Sequence, residues 1–151
     1  MHRIVPFLLL AAAGLPAPRA AAEPARVVES WMEAARSEIP GVSTERLKAL
    51  VNGDRSFVLL DVRLPGERQS AGAIDPFREV AIPRGYLEFR APRKLPDTGA
   101  TIIVYCGTGK RSLLAARTLE RMGYTDVRNY SDGFRAWKEA GHPVQPPMSA
   151  P

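Results

Sequence analysis

Cysteine and histidine are scarce in this sequence of 151 residues. The single cysteine is Cys106, and the two histidines are His2 and His142. One cysteine excludes a disulfide within the chain, and a structural zinc site normally needs four Cys or His ligands. We therefore expect no metal centre, and nothing in the sequence requires a cofactor.

Long blocks of one charge are also missing. The chain has 21 Lys and Arg against 16 Asp and Glu, a small excess that is scattered along its length. Nucleic-acid binding leaves a clustered basic patch as its footprint. The sequence has no such cluster, so we expect no nucleic-acid partner.

Only one long apolar run occurs, and it lies near the amino terminus. A short cationic start is followed by apolar residues 4–15 and by small alanines at 20–22. This order is typical of a secretory signal peptide, and three prolines make the run a poor membrane-spanning helix. We predict a signal peptide over residues 1–22, export to a periplasm, and no stable membrane span after cleavage.

Short apolar runs alternate with amphipathic segments in the rest of the chain. The patterns predict strands at 57–60, 80–82, 101–105 and 127–130, and helices at 24–39, 43–53, 65–71, 84–90, 110–122 and 131–140. Alternation of this kind indicates an α/β domain with a mainly parallel central sheet flanked by helices. We divide the chain into a helical extension at 23–42, a domain at 43–144 and a Pro-rich tail at 145–151.

Cys106 follows the clearest strand and precedes the clearest helix. Ligands in open α/β sheets bind at the carboxyl ends of strands. A glycine-rich turn into a helix directs backbone N–H groups and the helix dipole at an anion, which favours a thiolate. The candidate active-site loop is Cys106, Gly107, Thr108, Gly109, Lys110, Arg111 and Ser112. Such a thiol needs no histidine for activation, and His142 lies in a predicted surface turn.

Four motifs, in order along the chain, together resemble the rhodanese-type sulfurtransferase family. They are Leu60-Asp61-Val62-Arg63 with Glu67 and Gly72-Ala73-Ile74; Ile82-Pro83-Arg84-Gly85 with Leu87-Glu88-Phe89; residues 104–112; and Asp132-Gly133-Phe134 with Trp137 and Gly141-His142-Pro143-Val144. The resemblance spans residues 43–144. It departs from the family where Ala73 replaces a common histidine and Asp75-Pro76-Phe77 replaces a Pro-Gly-Ala step.

The resemblance implies a three-layer domain in which Cys106 is the nucleophile. Cys106 would take sulfane sulfur from a small anionic donor, hold it as a persulfide, and pass it to a thiol, cyanide or a protein acceptor. Residues 107–111 would cradle the persulfide, and Arg111 would orient the loop or bind the donor. Asp61 and Arg63 would support the structure, and Arg63 could pair with Glu67.

Alternatives to a sulfurtransferase remain open at this stage. Related phosphatases and arsenate reductases have five residues between Cys and Arg, whereas four separate Cys106 from Arg111. With no second cysteine, the chain could instead serve as a sulfur carrier or a thiol-sensing or binding module. The donor is open between thiosulfate, mercaptopyruvate and a protein persulfide.

Overall fold

The computed structural model describes residues 23–53, 56–75 and 78–146. Over these residues helices alternate with short strands. The helices are α1 (Glu23–Glu38), α2 (Thr44–Val51), α3 (Pro65–Ala71), α4 (Leu87–Lys94), α5 (Lys110–Arg121) and α6 (Gly133–Glu139), and a 3-10 turn (Arg84–Tyr86) precedes α4. The strands are β1 (Gly41–Val42), β2 (Val58–Asp61), β3 (Glu79–Ala81), β4 (Thr101–Tyr105) and β5 (Asp126–Tyr130).

The five strands form one parallel sheet in the order β1-β5-β4-β2-β3. β4 lies at the centre, and its residues 102–105 are buried. Burial on both faces explains its unbroken apolar sequence, which is characteristic of parallel sheets covered by helices. The predicted α/β fold with a parallel sheet is confirmed.

Alternate residues of the central strands supply two separate cores. On one face, Ile102 and Val104 pack with buried residues of α1, α4 and α5. On the other face, Ile103 and Tyr105 pack with buried residues of α2 and α6. The sheet is therefore the middle of three layers, and the helices fix it from both sides.

The N-terminal helix α1 belongs to the first of these cores. Met32 and Ala35 are buried, and Glu38 accepts two hydrogen bonds from Arg117 of α5. α1 also carries exposed apolar side chains, including Trp31. Within the described part of the chain, no helix is long and apolar enough to cross a membrane. The predicted signal segment at 1–22 and the end of the tail at 147–151 lie outside the described residues.

Two local predictions were incomplete. The pattern around Gly41 predicted only the end of a helix, but Gly41 and Val42 add an edge strand that pairs with β5. The predicted helix at 84–90 was also too short, because α4 continues through Pro92 to Lys94. Proline removes one helical hydrogen bond, and burial of Leu87 and Ala91 on the same helix offsets that loss.

Candidate active site

Cys106 is the first residue after β4, at the carboxyl edge of the sheet. Its backbone carbonyl accepts a hydrogen bond of 2.8 Å from the N–H of Phe134, and the carbonyl of Gly107 accepts one of 3.1 Å from Arg135. Both donors lie in the first turn of α6. The start of α6 thus holds the carbonyls of the loop and leaves its N–H groups free to face the sulfur.

The middle of the loop turns at Gly109, which has φ +79°. Only glycine adopts this left-handed conformation without strain. The carbonyl of Gly109 accepts a hydrogen bond of 3.3 Å from the side chain of Asn129 on β5. Gly133, also with positive φ, lies so close that an added Cβ would be 2.6 Å from the backbone of Thr108. The loop conformation is therefore fixed by β5 and by the start of α6.

The sulfur of Cys106 is buried and surrounded by hydrogen-bond donors. Its residue is 1% exposed, and the hydroxyl of Ser112 lies 3.5 Å from Sγ. Burial alone would raise the pKa of the Cys106 thiol. Hydrogen bonds from the Ser112 hydroxyl and from the backbone N–H groups of Thr108, Ser112 and Arg111 lower the pKa by more than burial raises it. The pKa is therefore lowered from its ordinary value. This is the environment that a nucleophilic thiolate requires.

Arg111 forms a bidentate ion pair with Glu67. Its two terminal nitrogens donate to the two carboxylate oxygens at 2.8 and 2.7 Å. The pairing with Glu67 raises the pKa of Arg111, and interaction with the Cys106 thiolate raises it further. Arg111 therefore faces the nucleophile and a carboxylate from α3 at the same time.

The remaining polar residues of the predicted loop differ in their exposure and in the groups that they offer to the sulfur. Lys110 and Thr108 are exposed at the surface. Thr108 contributes its backbone N–H to the thiolate, whereas Ser112 contributes its hydroxyl as well as its N–H. Two surface cavities, of about 540 and 570 Å³, are lined by other parts of the chain and not by residues 106–112. Neither of these two cavities therefore opens at the Cys106 sulfur.

Asp61 and Arg63 form a buried ion pair beneath the loop. Arg63 donates to both carboxylate oxygens of Asp61 and to the carbonyl of Gly72. Its guanidinium carbon also lies 3.9 Å from the ring centre of Phe134. The expected pairing of Arg63 with Glu67 is wrong, because Arg63 points into the core while Glu67 points to Arg111.

The buried network extends beyond the two residues predicted from the sequence. Arg68 donates to Asp61 at 3.1 Å and also pairs with Glu79, and the hydroxyl of Tyr105 donates to Glu79 at 2.5 Å. Burial raises the pKa of Glu79 and of Tyr105. The two acids and two arginines balance in charge, so the network joins β2, β3, β4 and α3 without a net charge.

Sequence reasoning did not identify Glu67, Asn129 and Gly133 as members of the site. Glu67 was placed in a family motif and considered as a partner for Arg63, and Asn129 was read as an ordinary strand residue. A glycine directly after Asp132 was the available signal for Gly133, since a glycine before a predicted helix often marks a close approach or a positive φ. These three residues act on the loop from other elements, which motif spacing cannot reveal.

The rhodanese-like domain family matches residues 43–140 of this chain. Because that match covers more than half of the sequence, the chain belongs to the rhodanese-like domain family. The matched region includes β2, the loop 106–112 and α6, which are the parts that build the site. The fold and the family agree.

Individual relatives show the same relationship at modest identity. YrkF of Bacillus subtilis, provisionally named a sulfur carrier protein, is 37% identical over 101 residues, which are 67% of this chain and 52% of that protein. The human thiosulfate:glutathione sulfurtransferase is 28% identical over 110 residues, covering 66% of this chain and 94% of that protein. This chain thus spans about half of the length of the Bacillus relative.

A solved structure from Rhodopseudomonas palustris resembles nearly the whole molecule. It superposes with a TM-score of 0.72 and 30% identity, and covers 87% of this chain and all (100%) of the other. That protein is described as one of unknown function and a possible tyrosine phosphatase. The likeness supports the fold, and the chemistry has to be argued from the loop.

Proposed function

We propose that this protein transfers sulfane sulfur from a small anionic donor, such as thiosulfate, to a thiophilic acceptor through a persulfide on Cys106. The observation that carries the proposal is the Cys106 sulfur, held among inward-facing N–H groups with its pKa lowered. A lowered pKa increases the fraction of thiolate, which is the nucleophilic form of cysteine. The name of the human relative supports thiosulfate as donor and a thiol as acceptor.

In the first step, the thiolate attacks the outer sulfur of thiosulfate. The sulfur–sulfur bond of the donor breaks, and sulfite leaves with the bonding electron pair. The product is a Cys106 persulfide, whose terminal sulfur carries the negative charge. The N–H groups that stabilise the thiolate can stabilise this anion as well.

In the second step, the acceptor attacks the terminal sulfur. Cyanide would leave as thiocyanate and a thiol would leave as a persulfide, and each restores the Cys106 thiolate. The acceptor must come from outside, because Cys106 is the one cysteine of the chain. Cys106 is only 1% exposed, which favours a small acceptor or the tip of an extended one.

The loop geometry argues against phosphatase or arsenate reductase activity. Four residues separate Cys106 from Arg111, and Arg111 is held by Glu67 rather than placed free over the loop. In a phosphatase or an arsenate reductase, the loop must hold the tetrahedral group that becomes bonded to the cysteine. In sulfur transfer, the loop holds only the one sulfur atom of the persulfide, because the rest of the donor leaves, so the short loop favours sulfur transfer.

A sulfur-carrier role is the second candidate, and the lone cysteine is the observation that favours it. A carrier would form the same persulfide but release its sulfur slowly to small acceptors. Single-turnover transfer from the preformed persulfide to cyanide and to glutathione separates the two roles. Rapid loss to both acceptors supports an enzyme, and loss to neither within minutes supports a carrier.

The experiment that tests the main proposal is the intact mass of the purified protein after incubation with thiosulfate. We expect a gain of one sulfur atom, reversed by cyanide, and no gain in Cys106→Ser. Ser112→Ala is a matched variant that keeps the cysteine but removes one donor to its sulfur. If wild-type protein gains no sulfur from thiosulfate or mercaptopyruvate while its thiol is alkylated, sulfur transfer from small donors is not its function.

We also propose that the protein acts outside the cytoplasm, because residues 1–22 have the order of a secretory signal. Amino-terminal sequencing of the protein from a fractionated bacterial host tests this. A mature end at Glu23 in the periplasmic fraction supports export. An intact Met1 in the cytoplasmic fraction contradicts it.

A further inference from the structure

An ion pair between α3 and α5 lies on the exposed side of the active-site loop, which we take as the entrance to the sulfur site. Arg111 lies in the first turn of α5, and Glu67 lies in the first turn of α3. Both terminal nitrogens of Arg111 donate to Glu67, at 2.8 and 2.7 Å. The two side chains are 42% and 37% exposed, so solvent and small anions reach the pair.

The Glu67 carboxylate is fixed by its own helix as well as by Arg111. Oε2 accepts a hydrogen bond of 2.9 Å from the N–H of Leu64, the residue that precedes α3. A carboxylate in the first turn of a helix is also favoured by the helix dipole. Hydrogen bonding from Arg111, then from Leu64, lowers the pKa of Glu67 to about 2. Glu67 therefore carries a negative charge at neutral pH.

The pairing of Arg111 with Glu67 changes the net charge that a donor encounters next to the sulfur. Arg63 and Arg68 are engaged by Asp61 and Glu79 in the buried network, so they offer no excess charge to the entrance. Arg111 does face the sulfur, but Glu67 cancels its charge at close range. An arriving anion must share Arg111 with Glu67 and is also repelled by Glu67. That repulsion grows in proportion to the charge of the donor.

We propose that Glu67 determines donor specificity: it makes the site favour sulfur donors with one negative charge, such as thiosulfonates, over dianionic thiosulfate. The inference rests on the proposed sulfur transfer through Cys106 and specifies its donor class. For methanethiosulfonate, the Cys106 thiolate takes the outer sulfur, the sulfur–sulfur bond breaks, and methanesulfinate leaves with the electron pair. Thiosulfate reacts in the same way and releases sulfite, but binds against the Glu67 charge.

The test compares kcat/KM for thiosulfate and for methanethiosulfonate, with cyanide as the acceptor, in wild type, Glu67→Gln and Glu67→Asp. Dividing the kcat/KM of each variant by that of wild type cancels the difference in intrinsic reactivity between the two donors. We expect Glu67→Gln to raise kcat/KM for thiosulfate about threefold to tenfold, through a lower KM. The repulsion that the substitution removes is twice as large for a dianion as for a monoanion. The gain for methanethiosulfonate should be about the square root of that factor.

Glu67→Asp separates charge from hydrogen bonding. It keeps the negative charge but shortens the side chain, so the donor preference should stay near that of wild type even if overall activity falls. Added salt should reduce the difference between wild type and Glu67→Gln, since exposed charges are screened. A purely structural role for Glu67 would lower kcat/KM for both donors equally and would leave no salt-dependent preference.

The outcomes distinguish this inference from the proposed function. If Cys106 gains sulfur from both donors but Glu67→Gln changes both kcat/KM values by the same factor, donor selection by Glu67 is wrong and sulfur transfer stands. If Glu67→Gln specifically weakens thiosulfate, Glu67 assists dianion binding and the inference is reversed. If neither donor sulfurates the wild-type protein in the mass experiment, the proposed function and this inference fall together.

Discussion

A Cβ atom on Gly109 would lie 1.9 Å from the backbone carbonyl oxygen of Ser131. The residue also has φ +79°, which disfavours any side chain. Gly109 is thus required twice, once by backbone conformation and once by the close approach of the strand-to-helix turn after β5. The active-site loop can take its shape only against that turn.

Gly109→Ala should therefore misplace the loop as well as destabilise the fold. A displacement of about 1 Å at a reacting group can reduce the rate a hundredfold, so we expect the rate of sulfuration of Cys106 to fall by about that factor. Gly123→Ala is the matched control, because Gly123 has φ +98° but open space around it. The control should lose only the stability attributable to strain, about 1–2 kcal/mol.

Urea denaturation and the sulfuration rate should be measured on both variants. A Gly109→Ala protein that is no less stable than Gly123→Ala and reacts at the wild-type rate would show that the contact with Ser131 does not shape the loop.

Ser112→Ala should raise the pKa of Cys106. The hydroxyl lies 3.5 Å from Sγ and is buried with it, so its loss is not replaced by water. A hydrogen bond to a charged group contributes about 1.5–3 kcal/mol, and the long distance places this one at the lower end. We expect an increase of about one pKa unit, read from the ultraviolet absorbance of the thiolate with Cys106→Ser as the blank.

The pH dependence of the sulfuration rate should follow the ionisation of Cys106. The pKa of Cys106 is lowered in the folded protein, so the thiolate persists to lower pH than that of an ordinary thiol, and the rate should fall as the pH drops through that lowered pKa. In Ser112→Ala this fall should begin at higher pH. Ser37→Ala on the exposed side of α1 is the control and should match wild type. An identical profile for Ser112→Ala would mean that the backbone N–H groups alone set the pKa.

The order of the elements and the position of the nucleophile could be predicted because they depend on local patterns. Three local patterns are contiguous in sequence: the apolar run of β4, the glycine-rich turn at 107–109 and the amphipathic α5. Their order was enough to predict that Cys106 lies at the end of a strand. β1 was missed because two residues cannot show a period. Its existence depends on pairing with β5, about 88 positions away along the chain.

The partners of the charged residues could not be predicted for a different reason. Arg63 and Glu67 are four positions apart, which in a helix would make them neighbours. However, α3 begins only at Pro65, so Arg63 leaves the strand end toward Asp61. The actual partner of Glu67 is Arg111, 44 residues away. Sequence spacing identifies ion pairs within one helix but not those between two elements.

Asp61→Asn should strongly destabilise the protein. Asp61 is fully buried and pairs with Arg63 and Arg68, so its neutralisation leaves buried guanidinium charge without a counterion. Breaking a buried pair from one side costs about 3–5 kcal/mol, and we expect a loss in that range by urea denaturation. Glu33→Gln, which removes the exposed pair with Arg36, is the control and should change stability little.

A small loss for Asp61→Asn would contradict the assignment of Asp61 as structural support. In that case the activity of the variant would decide its role. A stable variant with impaired sulfuration would mean that Asp61 contributes to the reaction and not to the stability of the fold.

The last prediction concerns α1, which the sequence placed in an extension outside the domain. Met32 is buried against the core shared with α4 and α5, whereas Val28 on the same helix is 48% exposed. Met32→Ala should therefore cost about 2–5 kcal/mol, and Val28→Ala should have little effect. Equal, small effects of the two substitutions on the urea midpoint would mean that α1 packs only loosely. A large effect of Met32→Ala alone would make α1 part of the fold, and would leave only its exposed apolar side chains, such as Trp31, available to a partner.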